Sequence, residues 1–132
     1  MVFAGFSSTA LSTRINDATC KMVITSDGSF RGAKTIDLKG IVDDALEDCA
    51  CVETVLVVKR INSEVVMKKG RDKWLAPLLK DASSQCEPEI MEAEDPLFIL
   101  YTSGSTGKPK GMVHSTAGYM VYSAYTFKNV FN

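Results

Sequence analysis

The chain has 132 residues, 45% hydrophobic and 23% charged, with 15 basic side chains against 16 acidic ones and a net charge of −1. That length fills one hydrophobic core and is short for two, and the balance excludes wholesale disorder, a collagen-like repeat and a disulfide-stapled mini-protein. So small a net charge gives no electrostatic reason to expect nucleic acid or an anionic membrane surface as partner.

Val2–Phe6 is an apolar run with no basic residue before it, so it does not read as a secretory signal; it reads as a strand closed by Ser7 and Ser8. Either serine can cap a helix in which Leu11, Ile15 and Ala18 recur at helical spacing. Met22–Thr25 is a β-branched run ended by the turn pair Asp27-Gly28, giving a β-α-β reading. Asp37 can cap a second helix, with Leu38, Ile41, Val42, Ala45 and Leu46 on one face. Thr54–Val58 is continuously apolar or β-branched, the pattern of a strand covered on both faces. Strands alternating with amphipathic helices predict an α/β fold, a mainly parallel sheet with flanking helices.

Residues 59–95 differ. Six basic residues lie between Lys59 and Lys73, then six acidic ones with no Lys or Arg from Asp81 to Asp95. Such blocks read as solvated connector surface, pinned to the body by a short amphipathic turn of Trp74, Leu75, Leu78 and Leu79. Pro96 suits the first residue of a strand, Leu97–Tyr101. After a glycine-rich loop, Ser115 can cap a last helix with Ala117, Met120, Val121, Ala124 and Phe127 as its apolar stripe and Tyr119, Tyr122 and Tyr125 as a second packing face. The division is therefore 1–58, a βαβ-type segment; 59–95, a charged connector; and 96–132, strand, loop and helix.

No run reaches the ~18 apolar residues of a membrane span. Cys20, Cys49, Cys51 and Cys86 lack the paired spacing of a zinc or redox motif; they predict no metal site and a reducing, cytoplasmic setting, mitochondrial or nuclear pools included.

The chemistry concentrates in Thr102-Ser103-Gly104-Ser105-Thr106-Gly107-Lys108-Pro109-Lys110-Gly111. Its glycines let the backbone approach a ligand, its hydroxyls donate, and Lys108 and Lys110 add positive charge, a set suited to phosphate. It is not the nucleotide P-loop: Thr102 stands where that pattern needs glycine and Pro109 where it needs Ser or Thr. Any Mg2+ would then be held mostly by the nucleotide's own phosphates.

Behind Tyr101, these ten residues resemble the phosphate-binding motif of the adenylate-forming enzymes. The resemblance extends through Val2–Ser7, Val23–Thr25, Val42–Leu46, Gly70–Asp72 with Trp74, Glu94–Tyr101, Gly118-Tyr119 and Tyr125–Lys128, and it narrows to the acetate–CoA ligases. It implies that the chain is part of the large N-terminal domain of such an enzyme, with acetate, ATP and coenzyme A as small-molecule substrates. Thr102–Lys108, with Lys110 and Gly111, would hold the ATP phosphates. By the same resemblance Arg31-Gly32-Ala33-Lys34 is a basic turn that contacts coenzyme A; a planar Arg fork and a Lys point charge suit its phosphates. The sole histidine, His114, has no chemical task, since a carboxylate substrate is already ionised at neutral pH.

The resemblance further implies that the acetate pocket, adenine contacts and C-terminal catalytic lysine lie beyond Asn132, so no catalytic residue is named and these residues alone are not expected to turn over. Another short-chain acyl-CoA synthetase, such as one for propionate, and a non-catalytic truncated remnant stay open as alternatives.

Overall fold

A computed structural model describes residues 1–103 and 107–131. They fall into two compact units, Val2–Ser84 and Gln85–Asn132, each described by itself.

The first unit begins with helix α1, Ser8–Asp17, capped as expected: the Ser7 hydroxyl accepts the Ala10 N–H at 3.2 Å. Ahead of it, Val2–Phe6 is not a strand. The chain turns at Gly5, φ +90°, the Phe6 N–H bonds back to Phe3 C=O at 3.3 Å, and no described strand pairs with it. A strand exists only through its ladder partner, so apolar composition alone does not make one.

Strand β1 is Met22–Ser26, the hairpin β2–β3 is Ser29–Arg31 and Lys34–Ile36, helix α2 is Leu38–Leu46 and strand β4 is Thr54–Val58. β1 and β4 pair in parallel, Met22 against Thr54 through Ser26 against Val58. The β-α-β reading of 1–58 therefore shifts: its members are β1, α2 and β4, with the hairpin inserted before the helix. Asp37 caps α2, its Oδ1 accepting the Gly40 N–H at 2.9 Å. The core is Ile15 of α1, Val42 and Leu46 of α2, Cys49, and Val55 and Val57 of β4, with Leu11, Val23, Met67 and Trp74 packed around it. Burial pushes the Cys49 thiol up, and the neighbouring Cys51 and Asp48 add to the shift.

Within 59–95, read as solvated connector, Asp72–Trp74 forms β5 parallel to β4, and Leu75–Lys80 forms helix α3. The sheet order is β1-β4-β5, all parallel. Residues 76–94 are exposed, as expected of a solvated connector, but charge did not keep the 71–72 pair in water. The Asp72 side chain is wholly buried, and Lys39 of α2, 1% exposed, places its Nζ 2.9 Å from Asp72 Oδ2, 2.7 Å from Asp43 Oδ2 and 2.9 Å from Val66 C=O. Arg71 bridges the Asp43 and Asp72 carboxylates. Burial alone would raise the Asp72 carboxyl, but hydrogen bonds from Arg71, Lys39 and the Lys68 N–H outweigh it and hold the group well below the usual carboxylate range.

Asp27, read as a turn residue, is also fully buried, at the carboxyl end of β1. Its carboxylate accepts the N–H groups of Gly28, Arg60, Ile61 and Ser63 at 2.8 to 3.1 Å, organising the turn after β4. Burial pushes this carboxyl up, yet those four donors together hold it below its ordinary value.

The second unit is an antiparallel ribbon, β6 Pro96–Thr102 against β7 Lys110–Ser115, followed by helix α4, Thr116–Val130. Parallel pairing thus holds for the three-stranded sheet, while β2–β3 and β6–β7 are antiparallel because their connections are too short for a crossover. Ser115 sits at the N-cap of α4 but its side chain makes no cap bond. Asp95 C=O accepts the Thr116 N–H and hydroxyl at 2.9 and 3.0 Å, and Ala93 C=O the Ala117 N–H at 3.1 Å. The expected stripe does not pack within this unit, with Met120, Val121 and Phe127 each more than 60% exposed. Of the stripe, Ala117 is half-buried, together with the polar Thr116, Ser123 and Thr126, and Tyr119 meets Phe98 edge-on, centroids 4.9 Å apart; Tyr122 and Tyr125 are exposed.

Candidate functional site

The glycine-rich stretch is the connection of the β6–β7 ribbon. Thr102 pairs with Lys110 and Tyr101 with Gly111, so Thr102, Lys110 and Gly111, counted as loop from the sequence, belong to the strands. Residues 103–109 connect the two strands in sequence. Gly104, Ser105 and Thr106 lie outside the described residues. Gly107 has φ +77° with nothing within 4 Å of a would-be Cβ, so it is required for the left-handed backbone and not for room. Thr102, Ser103, Lys108 and Lys110 are exposed, and Pro109 is half-buried. The ladder thus fixes the two ends of the connection side by side, and two hydroxyls and two ammonium groups stand in solvent at its described edges.

His114 of β7 pairs with Phe98 and stacks on it, centroids 4.5 Å apart with 21° between planes, and meets Tyr119 edge-on at 6.1 Å. Its ring packs within the ribbon.

The basic stretch Arg31–Lys34 forms a tight hairpin turn. Arg31 and Lys34 are the last pair of β2–β3, and Gly32, φ +61°, with Ala33 makes a two-residue connection with glycine at its first position. Pairing places both charged side chains at one end of the hairpin, and both are exposed. Beside Arg31 is an open groove of about 440 Å³ lined by Phe3, Phe6, Phe30 and Ile36. Phe3 is 83% and Phe30 63% exposed, and the Arg14 guanidinium lies 5.2 Å from the Phe6 ring centroid. Sequence reasoning missed this groove because it assigned Val2–Phe6 to a strand; the signal was Phe-Ala-Gly-Phe, two aromatics around a glycine. Among the described residues no cluster of His, Cys, Asp or Glu is arranged to hold a metal ion.

A family model described as "AMP-binding enzyme" matches residues 1–132. The acetyl-coenzyme A synthetase 2 of Pseudomonas putida is 56% identical over 132 residues, 100% of this chain and 20% of that protein. The acetyl-coenzyme A synthetase of Bdellovibrio bacteriovorus is 55% identical over the same span and share, and that of Salmonella typhimurium 52% over 134 residues, 21% of its length. The chain spans about a fifth of the length of these curated relatives. Among solved structures, the acetoacetyl-CoA synthetase from Streptomyces lividans superposes with a TM-score of 0.77 at 24% identity, covering 92% of this chain and 18% of that one, a likeness of fold.

Proposed function

Given that the chain belongs to the AMP-binding enzyme family, we propose that it is the phosphate- and CoA-binding segment of an acetate–CoA ligase. In that reaction an acetate oxygen attacks the α-phosphorus of ATP, pyrophosphate leaves, and the coenzyme A thiol then displaces AMP from acetyl-adenylate. The observation that carries the reading is the glycine-rich connection of β6 and β7, in a chain 51–56% identical over 131 to 133 residues to six acetyl-coenzyme A synthetases.

The work of this segment is positioning and charge stabilisation. As pyrophosphate departs, negative charge grows on its oxygens, and hydroxyl, amide and ammonium donors already aimed there need no reorganisation. Thr102–Lys108, with Lys110, supplies those donors; Gly104, Ser105 and Thr106, outside the described residues, enter by the motif alone. Mg2+ neutralises phosphate charge when it arrives with the nucleotide. The loop offers hydroxyls and ammonium groups and no carboxylate, which fits phosphate oxygens and leaves the ion on the nucleotide. Arg31 and Lys34 take phosphates of coenzyme A, and the aromatic groove beside Arg31 suits a purine face. The setting is cytoplasmic, with neither nucleic acid nor membrane as partner; no helix among the described residues is long and apolar enough to cross one.

The test is a chimera in which these 132 residues replace the matching stretch of the Pseudomonas putida protein. Acetate-dependent ATP–pyrophosphate exchange is expected, and Lys108→Ala lowers it by about a hundredfold, the cost of one well-aimed donor. Arg31→Ala raises KM for coenzyme A in the overall reaction. A folded chimera without exchange overturns the proposal.

A further inference from the structure

Glycine inside a paired strand is unfavourable, because it loses the most backbone freedom and offers no side chain to pack. Gly111 is such a glycine, the second residue of β7, directly opposite Tyr101. Its φ lies outside the left-handed region, so backbone conformation does not demand it. Space does. A Cβ at this position would lie 3.1 Å from Tyr101 Cζ, 3.2 Å from Tyr101 Cε1 and 3.1 Å from Ile99 Cγ2. Directly opposed and diagonal residues of an antiparallel pair share one face, and here the Tyr101 ring and the Ile99 methyl fill the volume that a side chain at 111 would occupy. Ile99 is β-branched and stiff at χ1, so it cannot swing clear. This is an aromatic ring laid over a strand glycine, a device that covers the exposed backbone and pins the register.

Gly107 presents the opposite case, a positive φ in open space. The two described loop-motif glycines that bracket Lys108 and Lys110 thus serve different ends, one shaping the turn and one seating a ring.

We propose that Gly111 is a positioning residue: its missing side chain lets the Tyr101 ring lie across β7, and this seat holds Thr102 and Ser103 in the orientation that the phosphate donors need. The inference rests on the proposed function for the phrase "phosphate donors" and on the ribbon geometry for the seat.

The experiment is a double-mutant cycle in the chimera described above, using Gly111→Ala, Tyr101→Ala and the pair. Kinetics of exchange are measured against ATP and against acetate, and melting midpoints are recorded for all four proteins. With Tyr101 present, Gly111→Ala is expected to lower kcat/KM for ATP about tenfold, leaving KM for acetate within about twofold; with Tyr101→Ala in the background the same change costs less than about threefold. Equal losses in both backgrounds, or no loss in the first, overturn the seat. A general structural defect would move KM for acetate alongside that for ATP, which also overturns it. Should the parent chimera show no exchange, the proposed function fails by itself. The seat is then judged by the melting midpoints, where a drop on Gly111→Ala that shrinks in the Tyr101→Ala background supports it and equal drops overturn it.

Discussion

Lys39→Met removes the one ammonium group buried beneath the charged stretch after β4. The substitution keeps an unbranched apolar stem of similar length, so packing is largely preserved and the change isolates the charge. Three contacts of Lys39 Nζ go: Asp72 Oδ2 at 2.9 Å, Asp43 at 2.7 Å and Val66 C=O at 2.9 Å. Breaking a buried pair from one side costs about 3–5 kcal/mol because the partner charge stays behind unpaired. Here Asp72 keeps Arg71 and the Lys68 N–H, and Asp43 is 32% exposed, so the lower end applies. Val66 is 78% exposed, so its released C=O turns to water and adds nothing to that figure. A loss of about 3 kcal/mol is about a hundredfold in the local opening equilibrium. Hydrogen-exchange mass spectrometry of the chimera reads it directly, as faster exchange in peptides covering 59–74. Lys21→Met is the control, because Lys21 and Glu53 are 69% and 70% exposed at 3.1 Å and such a pair contributes about 0–1 kcal/mol. If Lys39→Met exchanges within twofold of its parent, or no faster than Lys21→Met, the buried network does not hold this stretch and the reasoning is wrong.

Asp72 also sets an acid limit. Its carboxyl is held below the usual range in the fold and returns to about 3.9 when unfolded. A group depressed in the folded state stabilises it above the unfolded value and loses that contribution as pH falls toward the folded one. Asp72→Asn is therefore expected to be less stable at pH 7 yet to lose less between about pH 5 and pH 3, followed by circular dichroism; parallel curves for both proteins would contradict the linkage. At Gly107 the φ of +77° predicts that side-chain type matters more than size: Gly107→Asn keeps exchange within about tenfold because Asn visits the left-handed region, whereas Gly107→Leu loses it. Equal losses would show that room, not backbone conformation, governs the position.

Local signals in the chain were reliable where an element could be stabilised by its own neighbours. Ser7 and Asp37 cap the helices they were expected to cap, because a cap needs only a side chain three residues from an N–H. Thr54–Val58 is a strand as expected, central between β1 and β5, but its burial alternates, with Val55 and Val57 wholly buried, Thr54 and Leu56 half-buried and Val58 exposed, so the cover expected on both faces is met in full on one. Pro96 opens β6, where a missing donor costs nothing. The motif that resembles the adenylate-forming enzymes was legible as a string, since residue order alone distinguished it from the nucleotide P-loop.

What no local pattern could supply was the identity of partners distant in sequence. Val2–Phe6 had a strand's composition but found no strand to pair with. Asp72 lay in a stretch read as solvated connector, and Lys39, 33 positions away, meets it only because β5 lies against β4. Asp27 read as a turn residue because its donors, at Arg60, Ile61 and Ser63, arrive only after the second strand. The sequence by itself determined the family, the starts of α1 and α2 and the central strand. The tertiary structure alone decided that the Arg31–Lys34 motif is a hairpin turn beside an aromatic groove, that the glycine-rich motif hangs from an antiparallel ribbon, and that Gly111 belongs to its base. The reason is common to all three: periodicity and caps are set within one turn or strand, whereas pairing and burial are set by whichever distant residue fills the adjacent space.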